Sequence, residues 1–599
     1  MAVEFGPFEL DEAGRVVLCA RQEVPLQPRV FDLLVYLFQN RDRVVSKDEL
    51  LEAVWPNVTV TDNSLQRAVS ALRAMLRLGG MESAIRNVPG KGYRLCVDPE
   101  PVQPSAGHAA APSPADNLDR ATRAFSGHAW AEAARLYEAA DGHVPLDGSA
   151  LDRWAMALQC TGRPAEAIPV LVRAVAAHAK SERFNDAASD AVTLASLHLE
   201  RGQEAVASGW LARAEQWTLE HSDPTATALV LWMRSKVAAF EGRPEQALTL
   251  AEQAYATARQ AGELKSEALS LAYRGFYRLS LGDTRGGFAD QDHAAALALS
   301  ENVDPITGAT LYCNILWACR TFGDWTRAEQ WTRGYQSFCA ESRMELSGAC
   351  QLHRSEVLGV RGSLAEALAR VDDSLQRLVH DAPWAVGDAH RVLGDIQAAI
   401  GNVDAAHQAY DRAYTLGWCP EPGRAMLLLE EGEAEAAYAS LERSLIGSGW
   451  WTLQRKGVLL AHQALVAAHT GRHHHASKAI AELTGGAERW PMPSIHALTN
   501  EARAVLAQAR QDDEGALRHL HLARQLWSSI EGRVHATRLR IRIAKLQLQR
   551  GDCHGASAEI QAARLGADAL GSDKLKRDCA ALQRDLDARI AAHGLARAI

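Results

Sequence analysis

Apolar positions in the first hundred residues fall into two periods. "EFGPFEL", "RVVLC" and "EVPL" are short β-type runs divided by turn residues, and stretches near 28–39, 46–54 and 62–77 repeat their apolar residues at helical spacing. In the third stretch, from Asn63 to Arg77, Leu65, Val69, Leu72 and Leu76 lie at i, i+4, i+7 and i+11, so one face is marked for a core. The segment "RNVPGKGYRL" then reads as a hairpin whose Gly90 and Gly92 permit a tight turn. The expected order is β-β-β-α-α-α-β-β.

Residues 98–117, "DPEPVQPSAGHAAAPSPADN", hold five prolines without hydrophobic period and read as an extended linker. Beyond it, segments align on a glycine followed five residues later by a small residue, as in "GRPAEAIPVLVRAV" from Gly162 and "GDCHGASAEIQAAR" from Gly551. The small residues are Ala133, Ala167, Ala207, Ala247, Gly287, Ala328, Ala367, Ala406, Ala437, Ala476, Ala516 and Ala556, and most gaps are 39 to 41 residues. About twelve units at a fixed period predict a solenoid of helix pairs. The glycine is expected to end the first helix in left-handed geometry, and the small residue to let the second helix approach closely. The pattern resembles tetratricopeptide repeats with a longer unit. Within it, "CNILWACRTFGDWTRAEQWTRGYQSFC" and "GACQLHRSEVLGVRGSLAEALARVDDSL" resemble the helical sensor region of some LuxR-type regulators, over residues 310 to 445.

The face of the 63–77 helix opposite its apolar stripe carries Gln66, Ser70, Arg73 and Arg77, with Arg67 on the flank and Asp62 or Asn63 placed to cap. Residues 60–97 hold six Lys/Arg against two Asp/Glu, three of the six, Arg86, Lys91 and Arg94, being in the hairpin. Such a face suits the major groove, where Arg reads guanine and Gln reads adenine through paired hydrogen bonds. With its strand platform, "SKDELLEAVW", "VTDNSLQRAVSALRAML" and "VPGKGYRL" in order, the segment 4–97 resembles the winged helix-turn-helix domain of the OmpR/PhoB family, in the CadC- and HilA-like form without a receiver domain. The resemblance implies backbone contacts near Asn63 and Ser64, base reading by Gln66, Arg67 and Ser70, and a phosphate or structural role for Arg73. Arg77 and Arg86 extend that basic surface, and a wing with Lys91, Gly92 and Tyr93 would lie along the minor groove or backbone. Where several members carry two adjacent basic residues in mid-helix and an Arg in the wing turn, this chain has Ser70-Ala71 and Pro89. The family's base preference therefore does not transfer, and DNA shape is expected to contribute to specificity.

Charge changes the picture only locally. The chain's net charge of -9 is unlike a nucleic-acid binder, yet residues 1–97 balance 12 Lys/Arg against 12 Asp/Glu, so the excess lies beyond them. Hydrophobic residues at 47% and charged residues at 23% are ordinary for a globular protein, and no apolar run reaches the roughly 20 residues of a membrane span. The opening "MAVEFGPFELDEAGR" lacks a signal-peptide pattern and ten cysteines form no CxxC pair, so a cytoplasmic location is expected. No phosphate-binding GxxxxGK[ST] segment is present, and no nucleophile-base pair or metal signature stands out. Cys313, Cys319, Cys339, Cys350 and His353, and the "HHH" at His473–His475, read as packing and turn residues rather than ligands. Of fifteen tryptophans most are expected in the core, while Trp317, Trp325, Trp331 and Trp384 are candidates to line a ligand groove.

These readings converge on a mainly α chain. Residues 1–97 form an α+β winged helix-turn-helix, 98–117 a Pro/Ala-rich linker, and 118–599 an α-α superhelical, tetratricopeptide-like solenoid. The expected function is a non-enzymatic, sequence-specific transcriptional regulator, an activator, without cofactor or resident metal. Expected partners are double-stranded promoter DNA, RNA polymerase, a second copy of the chain, and a peptide, protein or small molecule in the repeat groove. The competing reading is an interaction scaffold whose winged domain docks protein rather than DNA.

Overall fold

The computed structural model describes residues 2–5, 7–11, 14–19, 22–24, 26, 28–41, 43–55, 62–77, 81, 84–88, 91–96, 114–221, 223–299, 303–345, 347–446 and 453–598. The chain divides into two compact units, Met1–Pro112 and Ser113–Ile599.

In the first unit, β1 (Ala2–Phe5), β2 (Phe8–Asp11), β3 (Val16–Cys19) and β4 (Gln22–Glu23) form an antiparallel meander in sequence order. The run "EFGPFEL", expected as one strand, is the end of β1 and most of β2, because a turn at Pro7 brings Phe5 opposite Phe8. Three helices follow, α1 (Pro28–Gln39), α2 (Lys47–Val54) and α3 (Asp62–Arg77), then the hairpin β5 (Ile85–Val88) and β6 (Gly92–Leu95). Alternation on β2 turns Phe8 and Leu10 inward, where they meet Leu33, Leu34 and Leu37 of α1, Leu50 of α2 and Leu72 and Leu76 of α3. Ser46 caps α2 by accepting from the Glu49 N–H at 3.2 Å. Just before that cap, Val45 exchanges two 2.9 Å backbone hydrogen bonds with Tyr93, tying β6 to the start of α2.

The second unit is helical throughout its described residues, and its first helix, Pro114–Ser126, begins inside the segment read as linker. Residues 98–113, the rest of that segment, lie outside the described residues. All twelve small positions are buried between helices. The residue five before each one is left-handed without exception: ten are glycines, with φ from 70° to 111°, and two are His128 (φ 57°) and Gln511 (φ 64°). Reversal there costs a glycine nothing, whereas a side chain must bear the clash of its own Cβ.

Successive helix pairs coil until turns of the superhelix touch. The Trp130 indole N–H donates to the Ser342 carbonyl at 2.8 Å, and that of Trp490 to the Leu279 carbonyl at 2.7 Å. Arg201 reaches the His380 carbonyl, Arg361 pairs with Glu531, and Ser572 donates to the Ala399 carbonyl. These partners are 170 to 212 residues apart. An open solenoid makes only nearest-neighbour contacts, so this one is closed on itself around an interior.

Candidate functional site

Helix α3 presents two unlike sides. Leu65, Ala68, Val69, Leu72, Met75 and Leu76 are buried, while Ser70 and Arg77 are exposed on the far side. Asn63, Ser64, Gln66 and Arg67 lie in the first two turns of the same helix, but their side chains fall outside the described residues. Arg73 is half-buried, and its Nη2 donates to the Ile85 carbonyl at 2.9 Å, so it fastens β5 to α3.

Arg86 and Lys91 are exposed on the wing, and Arg94 is exposed with its Nε donating to the Arg41 carbonyl. Tyr93 points the other way and is 5% exposed in the core, so its ring supports the wing from beneath. Gly92 is buried at φ +141°, where an added Cβ would stand 1.9 Å from the Val45 carbonyl oxygen. Only glycine fits that close crossing of backbone.

The repeat unit encloses a cavity of about 890 Å³. First helices of successive pairs each turn one stripe inward to the cavity, with Asn314, Trp317 and Arg320 on Pro305–Phe322, His353 and Glu356 on Gly348–Arg361, and Asp388, Arg391 and Asp395 on Val386–Ile400, and second helices add Trp325, Tyr335 and Tyr410. Three of the four candidate tryptophans line it. Trp317 stacks on Phe276 with ring centres 4.5 Å apart, Trp325 is buried with its indole N–H lacking a hydrogen-bond partner, and Trp384 is 40% exposed beside Trp418. Trp331 does not reach the cavity lining; it sits on a second helix, Trp325–Ser342, and donates to Asp292 at 3.0 Å.

The floor is an ion network that sequence inspection did not single out. Arg320 bonds Glu356, Asp388 (2.6 Å) and His353, and Arg391 bonds Asp388 (2.8 Å), Asp395 (2.7 Å) and Glu356 (3.0 Å). Burial opposes charge on Asp388, yet Arg320 and Arg391 outweigh it and hold that carboxyl well below the usual carboxylate range. Burial, reinforced by Arg320, pushes His353 down to about 3, which keeps it neutral. Burial raises Asp395 against the pull of Arg391. The signal available in sequence was spacing: His353 and Glu356 at i, i+3 and Asp388, Arg391 and Asp395 at i, i+3, i+7 put charge on one stripe of otherwise apolar helices.

Away from the cavity, Asp152, His178 and Asp190 place one ligand-type atom each within 4.8 Å of one another, and Gly148 leaves the space the imidazole fills. Burial and the neighbouring Asp152 raise the Asp190 carboxyl to about 9.

Strand platform, helix pair, exposed third helix and wing define a winged helix-turn-helix domain, joined in this chain to a helical-repeat superhelix. Residues 21–95 match the family model described as "Transcriptional regulatory protein, C terminal", and the N-terminal unit is a domain of this OmpR/PhoB type. Among similar proteins are the transcriptional activator CadC of Escherichia coli (strain K12), 37% identical over 78 residues, 13% of this chain and 15% of that one. The phosphate regulon transcriptional regulatory protein PhoB of the same strain is 31% identical over 94 residues, 16% of this chain and 41% of that one. The transcriptional regulator HilA of Salmonella typhi is 32% identical over 106 residues, 17% of this chain and 19% of that one. The chain thus spans less than half the length of each of these relatives. A solved structure, the APC/C hetero-tetramer Cut9-Hcn1, overlaps 78% of this chain and 96% of its own at 15% identity and a TM-score of 0.35. Among the described residues no helix is long and apolar enough to cross a membrane.

Proposed function

We propose that the chain is a sequence-specific DNA-binding transcriptional regulator, an activator acting with RNA polymerase, whose repeat region receives a signal ligand or partner. One observation carries the reading. Helix α3 buries Leu65, Val69, Leu72 and Leu76 and exposes Ser70 and Arg77 on the other side, next to a wing with exposed Arg86 and Lys91, in a domain of regulator type. A helix of that kind enters the major groove by its polar side while wing cations neutralise backbone phosphates. Gln66, Arg67 and Ser70 are assigned base contacts; Asn63, Ser64, Arg77, Arg86 and Lys91 are assigned the backbone. Gly92 and Tyr93 hold the wing's path, and Arg73 holds the wing to α3. A single winged domain covers a short site, which favours two copies on paired half-sites.

The test is mapping of DNA bound in cells by the intact chain beside an Arg67→Ala, Lys91→Ala double variant, with affinity on a recovered site measured against salt. Discrete promoter peaks lost in the variant are expected, with a log–log salt slope reduced by about 1 for each phosphate contact removed. Affinity equal in variant and parent at every salt concentration overturns the reading and points to a protein-docking winged domain.

A further inference from the structure

Carboxylates outnumber cationic side chains on the wall of the repeat unit's cavity, although Arg377 and Arg424, outside that lining, pair with two of them, Glu345 and Glu421. Among the described residues lining it are five cationic side chains, Lys236, Arg320, Arg391, Arg538 and Lys574, and seven carboxylates. The three lining histidines do not redress this, since burial pushes His353 down to about 3 and His535 down to about 4, and lowers His462 as well. The two arginines of the floor are not open to an anion. Arg320 commits Nε to Glu356, Nη1 to His353 and Nη2 to Asp388, while Arg391 commits its three nitrogens to Asp388, Asp395 and Glu356.

Asp395 is the open end of that network. Its Oδ1 accepts from the Tyr410 hydroxyl at 2.8 Å and its Oδ2 from Arg391 at 2.7 Å, which leaves each oxygen a further lone pair. Its side chain is 42% exposed although its helix packs inside the superhelix, because it faces the cavity. Arg391 is shared among three carboxylates, so it offsets the Asp395 charge only in part, and burial raises that carboxyl's proton affinity. Flat aromatic faces line the same cavity: Trp317 stacked on Phe276, Trp384 beside Trp418, and Tyr273. Aromatic faces attract a cation as well as an apolar ring, and the volume lies in the range of small-molecule sites.

We propose that this cavity binds an aromatic amine, its ammonium held at Asp395 and its ring system among the tryptophans. The assignment rests on the reading that the repeat region receives a small ligand, and names its chemical class. Three probes share one indole ring and differ in charge: tryptamine (cation), tryptophol (neutral) and indole-3-acetate (anion). Isothermal titration of the full chain is expected to give tryptamine at least tenfold tighter binding than the other two. Asp395→Asn, which keeps an oxygen for Tyr410, is expected to weaken tryptamine about tenfold or more, to the level of tryptophol, as loss of a charged hydrogen bond does. Tryptophol or indole-3-acetate binding as tightly as tryptamine overturns the cationic class while leaving a small-ligand site in place. Absence of binding by all three overturns the aromatic-amine assignment. DNA affinity, measured in parallel by fluorescence anisotropy, reports the regulator reading separately. Should Asp395→Asn unfold, the comparison of the three probes on the parent chain still decides.

Discussion

Gly92→Ala tests whether the wing is built on the contact described between β6 and the segment before α2. An added Cβ would meet the Val45 carbonyl oxygen at 1.9 Å, whereas real Cβ atoms stay beyond 3.0 Å, so one strand must retreat by about an ångström. That retreat breaks the pair of 2.9 Å hydrogen bonds between Val45 and Tyr93, at about 1 kcal/mol each. Alanine at φ +141° adds about 1–3 kcal/mol of backbone strain. The total, about 3–5 kcal/mol, is a large part of the roughly 5–15 kcal/mol that stabilises a domain. Amide hydrogen exchange read by mass spectrometry on the full chain resolves the two units. At about 1.4 kcal/mol per factor of ten, amides of α1 and β6 are expected to exchange roughly a hundred to several thousand times faster. Amides of the repeat helix Pro244–Ala261 are expected to be unchanged, with DNA affinity lost. Acceleration below tenfold in α1 and β6 refutes the claim that this crossing holds the wing.

The left-handed turns make an opposed pair of predictions. Gln511→Gly relieves a side chain at φ 64° and is expected to stabilise by about 0.5–1 kcal/mol, while Gly202→Ala, at φ 71° with open space around it, is expected to cost about 1 kcal/mol; urea denaturation checks both signs. Trp490→Phe removes the indole N–H that reaches the Leu279 carbonyl, and the lost hydrogen bond and ring area are expected to cost about 2–3 kcal/mol. Exchange should quicken at both ends of that contact, and unchanged protection at Leu279 counts against a closed superhelix. Asp190 binds its proton far more tightly when folded, up to about 9, than when unfolded, so its contribution to stability is complete at low pH and is lost as pH rises through that value. Asp190→Asn is expected to raise Tm at pH 8, change it little at pH 4, and flatten the profile between; parallel profiles contradict the assignment.

How much of this was open to reading from sequence depends on how local the cause is. The small residue five past each reversal, alanine at eleven positions and Gly287 at the twelfth, is required by two helices in contact, so the spacing marked the reversals even at His128 and Gln511 where no glycine stands. The short gap between Ala406 and Ala437 likewise corresponds to a short helix, Gly423–Glu430. The stripe on α3 told which side is buried. By contrast "EFGPFEL" hid a hairpin, since Phe5 and Phe8 face the same core across a turn too tight to interrupt the apolar run. Tyr93 and Gly92 belong to one tetrapeptide, yet only a partner 48 residues upstream of Tyr93, Val45, decides that the wing's aromatic turns inward. Which of the tryptophans meet the cavity was equally hidden, because Trp325 and Trp331 share one helix, Trp325–Ser342, yet only Trp325 reaches the lining. The charge floor became a unit only through coiling that brings three pairs to one interior.

The contact between superhelical turns also sets a timetable. Trp130 cannot find the Ser342 carbonyl until 212 further residues have left the ribosome, which at about 5–20 residues per second is about 10–40 s. Over that interval the inward faces of the helices already made, Leu197 among them, face water, with the nascent chain held in a partial turn. Synthesis of this protein therefore passes through a long stage in which a chaperone, or an early ligand, has open access to surfaces that the finished molecule shuts away.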